Sequence, residues 1–146
     1  MGQRQELWRP LVRFGDPRFA TRLVAGSGWE AWLLSWLPGQ STRLHDHGGS
    51  AGAFMVVAGE LDESILVPRA VLAGQTPRLG LATQRYRAGE IRAFGPDHVH
   101  DVASRAGGRA VSLHVYSPRL SAMTRYALDL EGELTVASRE RVGVDW

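Results

Sequence analysis

The 146-residue chain contains no cysteine, no lysine and no asparagine. The missing cysteine excludes a disulfide framework, thiolate metal ligands and a thiol nucleophile. With lysine absent, all 17 basic side chains are arginines, set against 15 acids for a net charge of +2. These arginines are scattered among the acids rather than blocked, so the chain carries no nucleic-acid footprint. No apolar run approaches the roughly 20 residues that a membrane-spanning helix needs. The first residues, Met1-Gly-Gln-Arg-Gln-Glu-Leu7, lack the apolar stretch of a secretory signal. A cytoplasmic protein is therefore expected. Heavy use of arginine, alanine and glycine points to a GC-rich bacterial genome.

What is present fits one globular domain over residues 1–146, with 44% hydrophobic and 22% charged residues. Leu7, Trp8, Leu11 and Val12 space an apolar stripe suited to a short N-terminal helix over residues 5–14. Beyond Asp16-Pro17 the pattern changes to short apolar runs cut by Gly and Pro. Strands are predicted over residues 19–24, 29–37, 53–57, 60–67, 79–87, 91–94, 98–102 and 110–116, with one more ending at His47. The Trp- and Leu-rich run 29–37 is expected to be buried on both faces. Residues 120–146 are expected to close the edge in further short strands. Many short strands with such turns argue for an antiparallel sandwich or barrel, a mainly β fold.

All five histidines fall at positions 45, 47, 98, 100 and 114. In a strand, residues two apart share a face. His45 and His47 can then reach one metal ion while Asp46 points away. Imidazole ligands suit Zn, Cu, Fe and Ni. The second pair, His98 and His100, follows Gly89-Glu-Ile-Arg-Ala-Phe-Gly95-Pro96. This stretch resembles the second half of a cupin double motif, and Gly39 to Gly59 resembles the first. Most cupins place a glutamate ligand four or five residues after the His-x-His pair. Those positions here are Ala51 and Gly52. Three neutral histidines and no carboxylate are therefore expected around the metal, leaving open positions for substrate and oxygen.

His45-Asp-His47, the missing glutamate and Ser112-Leu-His114-Val-Tyr116-Ser-Pro118 together resemble the bacterial cysteine dioxygenases. The resemblance runs from about Arg22 to Pro118. It implies a cupin, a small jelly-roll-like antiparallel barrel, that binds Fe(II) and uses O2 to oxidise the thiol of L-cysteine to a sulfinate. It implies His45, His47 and His100 as iron ligands, the last because the family's third ligand is followed by x-Val, as in His100-Asp-Val102. His98 is left as a polar residue near the site mouth. The family's Ser-His-Tyr relay corresponds to Ser112, His114 and Tyr116, and the arginine that pairs with the substrate carboxylate to Arg22, with Arg43 as the fallback. Animal members carry a cysteine, thioether-linked to the tyrosine, where this chain has Gly52, so Tyr116 is expected to stay a free phenol. The expected partners are L-cysteine and O2, and the chain is taken to act as a monomer. The rival readings are a 3-mercaptopropionate dioxygenase, whose group carries glutamine in place of the arginine, and a non-catalytic metal-binding cupin.

Overall fold

The computed structural model describes residues 4–105 and 107–142. Among the described residues ten strands follow the N-terminal segment: β1 (Phe19–Gly26), β2 (Trp29–Trp36), β3 (Ala51–Ala58), β4 (Glu60–Arg69), β5 (Arg78–Arg87), β6 (Ile91–Phe94), β7 (His100–Ala103), β8 (Ala110–Ser117), β9 (Ala122–Leu128) and β10 (Leu134–Arg141). β1, β2, β8, β3 and β6 form one antiparallel sheet in that order. Facing it are the ladder β5-β4-β7 and the hairpin β9-β10. The short strands expected over residues 120–146 are present as one hairpin, β9-β10; residues 143–146 lie outside the described residues.

Two expectations change in detail. The N-terminal helix is present as two 3₁₀ turns, Gln5–Leu7 and Arg9–Leu11. Pro10 sits at the start of the second turn, where its missing N–H costs nothing. Trp8, only 3% exposed, packs with Leu33, Val111 and Leu113 on the outer face of the large sheet. The second change concerns the His45–His47 segment, which is no regular strand. His45 alone makes isolated bridges, to His100 on one side and Arg125 on the other. Arg43 and Gly48 on either side both have φ 58°, which takes the backbone out of the extended region. At Gly48 a side chain would also put its Cβ 2.5 Å from the Ala122 carbonyl oxygen. Those bridges still stitch β7 to β9, so the histidine segment completes the second sheet.

The main core lies between the two sheets. It gathers Trp32, Leu34 and Trp36 of β2, Phe54 and Val56 of β3, Tyr116 of β8, and Leu61, Tyr86 and Val102 from the facing ladder. The β2–β8 register pairs Glu30 with Tyr116, Trp32 with His114 and Leu34 with Ser112. Directly paired residues share a face, so the relay stripe and the tryptophan stripe both face inward. Residues 30–36 of β2 are all buried, as expected for a strand covered on both sides. Covering the outer face with the N-terminal turns frees the inner face to carry polar groups.

Candidate metal centre and hydrogen-bond relay

His45, His47 and His100 converge between the sheets. Their ring centroids lie 4.9 Å apart in each of the three pairs. The three are 2%, 0% and 2% exposed. Their candidate ligand nitrogens all lie within 4.8 Å of one another. Hydrogen bonds fix two of the tautomers. His45 Nδ1 lies 2.8 Å from the Arg43 carbonyl oxygen and must donate to it. His100 Nδ1 likewise donates to the Glu63 carboxylate at 2.8 Å. Each ring therefore leaves Nε2 as a lone pair. Both ring nitrogens of His47 are buried without a hydrogen-bond partner, the His98 backbone lying nearby but outside bonding geometry. Orphaned buried imidazole nitrogens are costly unless something else binds them. Two lone pairs and one orphan ring, all neutral, fit a divalent metal ion.

The electrostatics favour ligand chemistry. Burial, reinforced by the neighbouring rings, lowers the pKa of His45 and His100, and pushes that of His47 down to about 3. Neutral imidazole is the form that binds metals. Glu63 partly opposes the burial of His100 through its hydrogen bond and charge.

Glu63, on β4, is the residue that sequence reasoning missed. It is 3% exposed. Its Oε1 accepts from His100 Nδ1 and from His98 Nε2 at 2.9 Å, while Oε2 accepts from Arg92 Nε at 2.9 Å. Despite its burial, these donors hold the carboxyl well below the usual carboxylate range. Asp62 and Glu63 alternate across β4, and only the β4–β7 register, which opposes Glu63 to Val102 two residues beyond His100, shows which carboxylate turns inward. The expected absence of a carboxylate after His47 is thus met by a carboxylate that grips His100 from behind its ring. His98 joins the same cluster, stacked 4.9 Å from Phe94. Asp46 points away from the rings, as expected. It accepts from the Gly48 and Thr124 amides and the Tyr126 hydroxyl, and so ties the histidine segment to β9.

The relay residues are brought together in line on β8. Ser112 Oγ lies 2.8 Å from His114 Nε2, and Tyr116 Oη 3.3 Å from His114 Nδ1. Burial pushes His114 well below the ordinary histidine range and pushes the Tyr116 phenol above the ordinary tyrosine range. Both are therefore neutral. The Tyr116 ring is tilted against His47, centroids 5.4 Å apart, which puts it beside one of the candidate ligands. Gly52 is the cross-strand partner of Tyr116.

Arg22 lies opposite Trp32 in the β1–β2 register, and Trp32 lies opposite His114. Its guanidinium sits 5.9 Å from the Trp32 ring and 3.7 Å from Glu30 Oε2, too far for a hydrogen bond. Its side chain is 51% exposed. A second arginine, unremarked in the sequence, lies deeper: Arg18 stacks 4.6 Å over Trp36, and burial lowers its guanidinium to about 10. Arg43 gives its carbonyl to His45 and leaves its side chain exposed.

Fold and site define a cupin with a three-histidine centre able to hold a metal ion. Solved structures agree on the fold: a double-stranded β-helix protein from Klebsiella pneumoniae superposes with a TM-score of 0.60 at 15% identity, covering 89% of this chain and 93% of that one. A cupin superfamily protein from Desulfitobacterium hafniense gives 0.58 at 13% identity, covering 75% and 86%. The family described as cysteine dioxygenase type I matches residues 3–129, and the chain belongs to that family. The cysteine dioxygenase type 1 of the zebrafish Danio rerio is 29% identical over 116 residues, which is 76% of this chain and 57% of that protein. The chain thus aligns with little more than half the length of that relative.

Proposed function

We propose that this chain is a non-haem iron(II) thiol dioxygenase that oxidises L-cysteine with O2 to cysteine sulfinate. The observation that carries the reading is the equilateral histidine triangle with the Tyr116 phenol set beside His47. Family membership supports it. His45, His47 and His100 would hold the metal. Bound there, Fe(II) would supply the redox chemistry that adds both oxygen atoms to sulfur. Three neutral ligands leave the full charge of a divalent ion uncompensated, which favours the thiolate over the thiol.

The chain's own residues do the rest. Glu63 keeps His100 in one tautomer and one orientation. Arg22 presents a planar fork to the substrate carboxylate, with its contact to Glu30 too long to occupy those donors. That anchor fixes which end of the substrate faces the histidines. Tyr116 holds its proton at Oη, kept there by burial, and offers it as a hydrogen bond where charge develops. Phe94, Phe54 and Trp32 line the space between the sheets and keep it dry.

The test is aerobic incubation of the iron-loaded protein with L-cysteine, following O2 uptake and sulfinate. Stoichiometric sulfinate is expected. Its absence in protein carrying one iron per chain would overturn the activity. Running 3-mercaptopropionate in parallel separates the substrate from the reaction class: equal or faster turnover of it would overturn cysteine alone.

A further inference from the structure

The relay does not end at Ser112. Trp36 Nε1 lies 2.9 Å from Ser112 Oγ, and both residues are 0% exposed. An indole N–H can only donate. Ser112 Oγ therefore accepts from Trp36, and the indole hydrogen fills that side of the oxygen. The serine hydroxyl must aim its own proton elsewhere. Its other partner is His114 Nε2, at 2.8 Å. A buried hydroxyl proton needs an acceptor, so Ser112 donates and Nε2 accepts. His114 is neutral, because burial strongly disfavours its charged form. A neutral imidazole that accepts at Nε2 carries its proton at Nδ1. That proton points to Tyr116 Oη at 3.3 Å. Tyr116 accepts it and turns its own hydroxyl proton away from His114.

We propose that Trp36 is a positioning residue that sets the direction of the whole chain, Trp36 to Ser112 to His114 to Tyr116, and so makes Tyr116 a hydrogen-bond donor toward the site. The reverse direction would have Tyr116 donate to His114 and present only lone pairs beyond. It would also give Ser112 two incoming donors and no acceptor for its own proton, in a place no water reaches. Arg18 adds to the bias. Its guanidinium lies 4.6 Å over the Trp36 ring, and a cation on an indole face draws electron density from the ring and makes its N–H a stronger donor.

The inference deepens the proposed function, since it rests on Tyr116 being the group that faces the substrate. Its test reads protonation, not turnover. Full-length protein labelled with ¹⁵N-histidine is studied by long-range ¹H–¹⁵N NMR, with and without Zn(II) as a diamagnetic probe. In the parent, His114 is expected to show a protonated Nδ1 and an unprotonated Nε2, and the Trp36 indole proton to exchange slowly with solvent. In Trp36→Phe, which keeps an aromatic ring and removes the donor, the Ser112 hydroxyl is released, and a mixture of the two His114 tautomers is expected. A protonated Nε2 in the parent would overturn the proposal, whether or not the variant folds. An unmixed, unchanged tautomer in Trp36→Phe would overturn the role of Trp36. If the parent shows the expected tautomer but makes no sulfinate, the direction of the chain stands and the dioxygenase reading falls.

Discussion

Replacing Glu63 tests how much of the metal centre is built from behind the ligands. The carboxylate holds three donors: His100 Nδ1 at 2.8 Å, and His98 Nε2 and Arg92 Nε at 2.9 Å each. Glutamine keeps the shape but has one oxygen and one NH2. If the amide oxygen faces the two histidines, the NH2 meets the Arg92 guanidinium, and that bond is lost. Arg92, with a third of its side chain exposed, can swing into water. His100 then keeps its tautomer against a neutral acceptor. Alanine instead strips the acceptor from both histidines, and His100 can rotate or change tautomer. Removing the partner behind a ligating histidine weakens metal binding by about 10- to 100-fold. Glu63→Gln is expected near the lower figure, about 1.4 kcal/mol, and Glu63→Ala near the upper, about 2.8 kcal/mol. The assay is anaerobic competition for Fe(II) against a chromogenic chelator at pH 7, with circular dichroism to verify folding. Folded variants that both bind iron within about twofold of the parent would refute the reasoning.

Four further outcomes follow from the same structure. His45, His47, His100 and His114 all have their pKa lowered by burial, His47 to about 3. The folded apo-protein therefore binds fewer protons than the unfolded chain below pH ~6.5, so its stability is present above that pH and lost as pH falls, by up to about 1.4 kcal/mol per pH unit for each histidine. A urea midpoint unchanged between pH 7 and pH 5 would contradict this. His100→Ala should abolish iron binding, while His98→Ala should keep it; the opposite pattern, read by metal analysis, would exchange their roles. Tyr116→Phe should slow sulfinate formation by about 10²- to 10³-fold, the usual effect of losing one positioned donor, and the intact mass of the parent should match the plain sequence; a full-rate variant would remove the phenol from the mechanism. Arg22→Ala should raise KM for L-cysteine with iron content retained; unchanged kinetics would point to Arg18 or Arg43.

Strand existence was legible wherever apolar runs were cut by Gly and Pro, as in β6, whose bounds at Ile91 and Phe94 match the expectation. That His45 and His47 share one face, and Ser112, His114 and Tyr116 another, was legible because spacing of two is a local signal; the choice of His100 and the relay roles came from the family resemblance. The strand expected at His45 was not found, since ladder pairing depends on what lies alongside, and the positive φ at Arg43 leaves no mark in composition. Glu63 was invisible for a related reason: it stands 37 residues before His100 in the chain and meets it only through the β4–β7 pairing. Trp36 reads in sequence as a core aromatic, which it is. Its second duty comes from a contact across 76 residues. Local periodicity reports faces; it does not report which faces meet.

The packing around Gly52 also governs how this chain could change over generations. A Cβ built there would lie 2.7 and 2.8 Å from two Phe94 ring atoms and 2.9 Å from Tyr116 Cδ1. The thioether of the animal relatives needs a cysteine at this position, and one substitution cannot supply it. Gly52→Cys alone would push Phe94 off the His47 ring on which it stacks, at 4.7 Å, and disturb a ligand before any cross-link could form. Shrinking Phe94 first would uncover the same ring to water. With no cysteine in the chain and Phe94 filling the space a side chain at position 52 would need, no thioether can form on Tyr116.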